Sequence, residues 1–294
     1  MAHIVDKYVN PLTDFGFKKL FGEEPNKELL IDFLNQLLPA HHQIEDLEYA
    51  SNEKVGRTAA DRKAIFDLSC RSTSGERFIV ELQKIKQNWF KDRSLYYTSF
   101  PIQEQAEKGE WDFELQPVYF IGILDFIFSE SRKEKNIVHH VELKDQFCNV
   151  FYDKLKLIYI ELPKFELGVE ELTTHFDKWL YVFRHLSKLS DRPAALQERV
   201  FTRLFEAAAI ANFTPTEMEA YEESLKVYRD LDNSFKTIRE EGLEEGLEIG
   251  REEGREEGKK EQARAMARMM KQSGEASDKI GQYTGLTQAE IENL

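Results

Sequence analysis

The chain is poor in cysteine, tryptophan and proline, with two, three and eight residues respectively among 294. Cys70 and Cys148 cannot build a disulfide framework and have no metal-ligand spacing, so both read as buried thiols within strand-like sequence. No apolar run approaches the roughly 20 residues of a membrane-spanning helix, and Met1-Ala-His-Ile-Val5 lacks the charged-then-apolar order of a secretory signal. A cytoplasmic protein with no membrane segment is expected. Positive charge is scarce as well: 40 Lys+Arg face 54 Asp+Glu, a formal net charge of −14 that argues against indiscriminate coating of nucleic acid. The deficit is uneven. Residues 1–110 hold 15 Lys+Arg and 18 Asp+Glu, with Arg57, Arg62, Lys63, Lys84, Lys86, Lys91 and Arg93 gathered around one stretch.

That stretch contains two apolar runs, Lys63-Ala-Ile-Phe-Asp-Leu-Ser-Cys70 and Glu76-Arg-Phe-Ile-Val-Glu-Leu-Gln83, joined by Arg71-Ser-Thr-Ser-Gly75. A three-residue Thr73-Ser74-Gly75 loop with Gly75 in the left-handed position sets Ser72 opposite Glu76. Counting inward, Asp67 faces Glu81. With a side-chain period of two, Asp67, Glu81 and Gln83 share one face, and Phe66, Leu68, Phe78, Val80 and Leu82 take the other. Carboxylates opposite each other repel. A divalent cation removes that repulsion, because two carboxylates plus waters suit Mg²⁺, so the hairpin reads as a metal-dependent nuclease site. His139 and His140, on opposite faces of a strand, form no metal pair. Asp14 and Asp61 read as capping or turn residues, and Trp89 and Phe90 as core positions of an amphipathic helix.

Around the hairpin the periodicity alternates. An aromatic-rich opening, Asn10 to Gly22, precedes a helix from about Pro25 or Asn26 to Leu38, stopped by Pro39. Ile44 to Val55 reads as the first strand and the hairpin supplies two more. Trp89 to Lys108 reads as a helix burying Phe90, Leu95, Tyr96, Ile102 and Ala106, kinked or broken at Pro101. Pro117 to Phe128, apolar almost throughout, suits a central strand buried on both faces. Ile137–Leu143 and Leu155–Leu162 read as an antiparallel pair at one side of the sheet. The pattern then turns helical from Val169 to Ser234, with Phe176, Trp179, Leu180, Phe183 and Leu186 on one stripe.

After Arg239, glycine recurs every fourth residue, at Gly242, Gly246, Gly250, Gly254 and Gly258. Each costs a helix about 1 kcal/mol relative to alanine. The segment reads either as a solvated linker or as a helix stabilised by close approach of another. At the end, Thr287 and Glu290 form a capping-box signature inside a helix-turn-helix outline. Its second helix carries Glu290 and Glu292 where a base-reading module needs cations, so a packing or oligomerisation element is expected. The expected domains are a core over 1–165, a helical region over 166–238 packing on or beside it, the glycine-repeat helix or linker over 239–272, and the small element over 273–294.

Asp67, then Glu81-Leu82-Gln83 across a hairpin, within an order of helix, three strands, helix, strand, resembles the PD-(D/E)XK nuclease superfamily. More narrowly, Asp14-Phe-Gly-Phe-Lys-Lys-Leu-Phe-Gly22, Lys63 to Asp67, Phe78-Ile-Val-Glu-Leu-Gln83 and Arg93-Ser-Leu-Tyr-Tyr97 are similar to the recombination-promoting nuclease and transposase branch, over about residues 8–240. The resemblance implies an α/β fold: a restriction-endonuclease-like core (helix, three-strand meander, helix, strand) with added strands, a helical region and a long C-terminal helical tail. It implies that Asp67, Glu81 and the carbonyl of Leu82 ligate Mg²⁺ or Mn²⁺ for hydrolysis of DNA phosphodiesters, in recombination or mobile elements. Gln83 stands where the superfamily usually has lysine, and glutamine is common there in this branch. An amide hydrogen-bonds but brings no cation. Lys63, Lys84 or Arg93 is expected to supply that charge and to contact DNA, with Asp14 a weaker candidate for a further acidic contact. A homo-oligomer is expected, since cutting both strands of a duplex is served by two sites. The competing expectation is a catalytically weak nuclease-like scaffold that binds DNA or protein and oligomerises through its tail. RNA ranks low as substrate, because no RNA-binding module is recognisable.

Overall fold

The computed structural model describes residues 6–39, 42–54, 64–106 and 112–294. Two α-helices open the chain, α1 (Asp14–Phe21) and α2 (Lys27–Asn35). The Thr13 hydroxyl accepts the Gly16 N–H at 3.0 Å and caps α1. The aromatic-rich opening is therefore itself helical, and Phe17, Leu20 and Phe21 bury one of its faces.

Among the described residues eight strands follow in sequence: β1 (Leu47–Tyr49), β2 (Glu53–Lys54), β3 (Ala64–Ile65), β4 (Leu68–Ser72), β5 (Arg77–Gln83), β6 (Val118–Leu124), β7 (Val138–Lys144) and β8 (Val150–Glu161). The six-stranded sheet has the order β1-β4-β5-β6-β8-β7, and β2 and β3 pair separately. β1, β4 and β5 form an antiparallel meander, β5, β6 and β8 run parallel, and β7 returns antiparallel at the far edge. The expected first strand, Ile44 to Val55, is thus two short strands. Between them Asn52 binds the β3–β4 corner instead of continuing the ladder: its carbonyl accepts the Phe66 N–H at 2.8 Å.

The helix α3 (Phe90–Gln103) joins β5 to the parallel β6. Proline does not break it. Pro101 lies in the last turn, where the helix ends two residues later. The buried stripe also differs from expectation, because Phe90, Ser94, Thr98 and Pro101 face inward. Leu95 and Tyr96 are exposed, Ile102 is half-buried and Ala106 is exposed. Small residues face inward because the helix packs close to the sheet, where the Ser94 and Tyr159 hydroxyls meet at 2.6 Å. Trp89 stands at the N-terminus of α3, 79% exposed and with φ +65°, whereas Phe90 is buried.

β6 is buried at every position, as its unbroken apolar sequence requires. On one side of the sheet Phe66, Ile79, Phe120, Leu124, Leu157 and Tyr159 pack with Phe90. On the other, Leu68, Phe78, Val80 and Ile121 join α1, α2 and two later helices, α4 (His175–His185) and α5 (Arg199–Ala208). Fully burying one such Phe, Leu or Ile contributes about 1.5–3 kcal/mol. Phe66 therefore packs with Ile79, opposite to the expected placement beside Leu68. The strand is interrupted at Phe66–Asp67, which breaks the strict alternation. Cys70 is buried as expected, but Cys148 is exposed, in the β7–β8 turn with φ +65°.

Two compact units divide the chain, residues 1–228 and 229–294. One helix, α6 (Pro215–Gln272), runs from the first into the second. Its opening turns pack on the first unit, where the Tyr221 hydroxyl accepts the Asn10 N–H at 2.9 Å and Lys19 pairs with Glu217 at 2.6 Å. The glycine-repeat segment is helical. Apart from the helix's own backbone, nothing lies within 4 Å of where a Cβ would stand on any of its five glycines. In the second unit α7 (Ser277–Thr284) and α8 (Gln288–Glu292) fold back on the end of α6, burying Ala267, Ile280 and Ile291. The Thr287–Glu290 capping box is present. No helix among the described residues is long and apolar enough to cross a membrane.

Candidate active site

The β4–β5 hairpin has the register the turn chemistry demands. Gly75 takes φ +104°, and the Ser72 N–H donates to the Glu76 carbonyl at 2.9 Å. Leu68 pairs with Val80 at the other end, so Asp67, one residue before β4, comes opposite Glu81. The Asp67 N–H donates to Glu81 Oε1 at 3.1 Å, and the Leu82 N–H donates to Asp67 Oδ2 at 2.7 Å. Gln83 Nε2 donates to Glu81 Oε2 at 3.2 Å, so the amide lies on the same face. N–H and C=O of one strand residue leave on the same edge, which aims the Leu82 carbonyl toward Asp67.

Glu81 is only 3% exposed. Burial first, and the Asp67 charge second, push its carboxyl up to about 8. Burial likewise pushes Asp67 up to about 6, with Asp14 adding to the rise. The shifts are opposed first by backbone N–H donors, Leu82 at Asp67 and Asp67 at Glu81, then by Lys18 and Arg93 at Asp67 and by Arg93 and Gln83 at Glu81. The two groups titrate as a pair. Two acids this short of compensating charge form a place where a cation is stabilised.

Arg93 projects from α3 toward the pair, with Nη2 4.0 Å from Glu81 Oε2. Its guanidinium packs over the rings of Phe90 and Tyr97, 5.2 and 5.6 Å from the centroids. Nε and Nη2 are buried and have no hydrogen-bond acceptor among the described residues. Lys84 goes elsewhere, 3.5 Å from Asp125 and 3.1 Å from the Tyr228 ring centroid. Lys63 lies outside the described residues, as do Arg57, Asp61 and Arg62. Asp14 is in the first turn of α1, paired with Lys18 at 2.7 Å. The two line a cleft of about 560 Å³ together with Lys19, Asn52 and Leu68.

Asn52 and Lys18 escape a reading of the sequence. The Asn52 amide donates to the Asp67 carbonyl at 3.0 Å and its carbonyl oxygen accepts the Ser69 N–H at 3.0 Å, which braces the backbone on both sides of the acid. The sequence held no signal for it, because Asn52 falls inside a run that reads as one strand. Among the described residues no cluster of three or more His, Cys, Asp or Glu side chains could hold a metal ion. A metal at this site would therefore take two carboxylates, a carbonyl and waters, a donor set that suits a hard divalent cation.

A three-strand meander with an acid before its middle strand and Glu-x-Gln on the next, followed by a crossover helix to a parallel strand, defines a nuclease-like α/β protein. The description "PD-(D/E)XK nuclease family transposase" matches residues 11–237, and the chain belongs to that family. Its setting is thus nuclease-like and related to mobile elements, in a superfamily whose members generally use divalent metals. No curated protein and no solved structure matches the chain.

Proposed function

We propose that the protein is a metal-dependent DNA endonuclease, with Asp67, Glu81 and the Leu82 carbonyl as the protein's ligands to Mg²⁺ or Mn²⁺. The observation that carries this reading is the buried Asp67–Glu81 pair, joined through the Asp67 N–H at 3.1 Å and pushed upward in pKa by burial. When bound, the cation polarises the scissile phosphate and lowers the pKa of a coordinated water. Gln83, held against Glu81, orients the attacking water through its amide. It cannot offset developing negative charge, and Arg93 takes that part: its buried, unsatisfied Nε and Nη2 are donors for a phosphate oxygen. Lys18, near enough to Asp67 to oppose the rise of its pKa, steers the phosphate backbone toward the acids. Asp14, bound to Lys18, tunes Asp67 from outside the ligand set.

Supercoiled plasmid with Mg²⁺ tests the proposal. Wild type is expected to nick it, with Asp67→Ala and Glu81→Ala reduced about 100-fold or more, in the range lost with one electrostatic element of a site. Equal cleavage by all three proteins rejects the site. Absence of cleavage by any of them favours the second reading, a scaffold that binds DNA or protein and assembles through its tail, for which the glutamine in place of lysine speaks.

A further inference from the structure

Beside the acids stands a residue whose placement the fold does not explain. Trp89 precedes α3 with its indole 79% exposed, whereas Phe90, the next residue, fills the core position. The Trp89 backbone takes φ +65° and ψ +20°. A bulky side chain rarely adopts that left-handed conformation, which glycine fills without strain. Strain of this kind, with no packing gained from the ring, clusters at functional sites.

The position of the ring relates it to the acids. Trp89 lies one turn before Arg93, and its carbonyl accepts the Arg93 N–H at 2.9 Å. Arg93 Nη2 is 4.0 Å from Glu81 Oε2, while Arg93 Nη1 donates back to Gln87 Oε1, two residues before the tryptophan. Four residues of helix span about 6 Å, and a DNA strand rises about 3.4 Å per nucleotide. The ring therefore stands about one or two nucleotides from a phosphate held at the acids. Its surroundings are cationic: residues 84–93 carry Lys84, Lys86, Lys91 and Arg93 against Asp92 alone. Lys84 and Lys91 pair with Asp125 and Glu130, but Lys86 Nζ donates to a neutral hydroxyl, Ser129 Oγ, at 2.5 Å and meets no carboxylate among the described residues. An uncompensated cation beside a bare aromatic face is the combination that binds single strands, with phosphate on the cation and base on the ring.

We infer that Trp89 stacks on an unpaired base next to the scissile phosphate, and that the substrate is DNA with single-stranded or extrahelical nucleotides at that place. This rests on the nuclease reading in one respect, that the phosphate lies at Asp67 and Glu81. Inside a duplex both faces of each base are covered by its neighbours, so a lone ring finds a free face only at an unpaired nucleotide. Every base has a π-face, so stacking tolerates any sequence. Trp89 thus selects the structure of the DNA and leaves its sequence unread.

Binding in a chelator tests the stacking apart from cleavage. A labelled single strand and a uniformly abasic strand of the same length carry equal phosphate charge, so the electrostatic part of the affinity is common to both. Trp89→Ala is expected to bind the intact strand about 5- to 150-fold more weakly than wild type, the range for one stacked base, and the abasic strand equally well. Trp89→Phe should keep most of the affinity. Trp89→Gly, which relieves the left-handed strain, should melt no lower than wild type yet bind as weakly as Trp89→Ala. Equal affinity of wild type and Trp89→Ala for the intact strand, an equal loss on both strands, or a lower melting temperature of Trp89→Gly overturns the inference. The nuclease reading fails separately. Plasmid left uncut while the difference between strands persists rejects the nuclease and keeps the stacking site, whereas nicking without that difference rejects the stacking site alone.

Discussion

The Asp67–Glu81 pair makes stability depend on pH in a direction opposite to that of ordinary surface carboxylates. An unfolded chain loses these protons near pH 4, whereas the folded protein holds them to about 6 and about 8. Between those limits the folded state binds more protons, so stability falls as pH rises. Thermal melting in a chelator is expected to drop between pH 5 and 8, and Glu81→Gln should flatten the drop. Mg²⁺ should raise the melting temperature more at pH 8 than at pH 5, because ligand binding to the folded state competes with the protons. Equal melting of both proteins at all pH values would reject the burial argument. At Arg93, Arg93→Lys is expected to lose cleavage about tenfold and Arg93→Ala about 100-fold, with plasmid binding nearly unchanged; a parallel loss of binding would assign the residue to the DNA interface instead. The acids were legible because strand alternation and turn chemistry are local rules. Arg93 was one of three candidate cations, and the choice among Lys63, Lys84 and Arg93 depends on which helix face meets the sheet.

At the scale of elements, the parallel strands end in charged residues that need neighbours. Glu161 closes β8 with no exposure, accepting the Phe128 N–H at 2.6 Å and the Ser131 hydroxyl at 2.7 Å, and bonded to His139 at 2.9 Å and Lys164 at 2.6 Å. Glu161→Gln should cost about 3 kcal/mol, the scale for breaking a buried pair and leaving Lys164 uncompensated, measured by urea unfolding. A loss below 0.5 kcal/mol would mean the charge is not needed there. The three-strand meander, the crossover helix and the strands β6 to β8 followed in order from periodicity, whereas the separate β2–β3 pair did not. The misplacements came from packing: α3 buries Ser94 and Thr98 because it approaches the sheet closely, and Phe66 changes faces because Asn52 bends the chain beside it.

For the whole molecule, the tail helix poses an energetic question. Five glycines with open space around them cost about 5 kcal/mol of helix stability. Replacing Gly246, Gly250 and Gly254 by alanine should raise protection against hydrogen exchange along α6 by about 1 kcal/mol per site if the segment is a solvated helix. Loss of protection would show that the glycines face a partner that a methyl group excludes. By itself, the sequence determined the hairpin register, the facing acids, the buried central strand and the capped C-terminal turn, because each rests on interactions spanning a few residues. Only the tertiary structure decided that Arg93 and not Lys84 reaches the acids, that Asn52 braces Asp67, and that β7 stands at the far edge of the sheet. These depend on contacts between residues distant in the chain, which local periodicity does not encode.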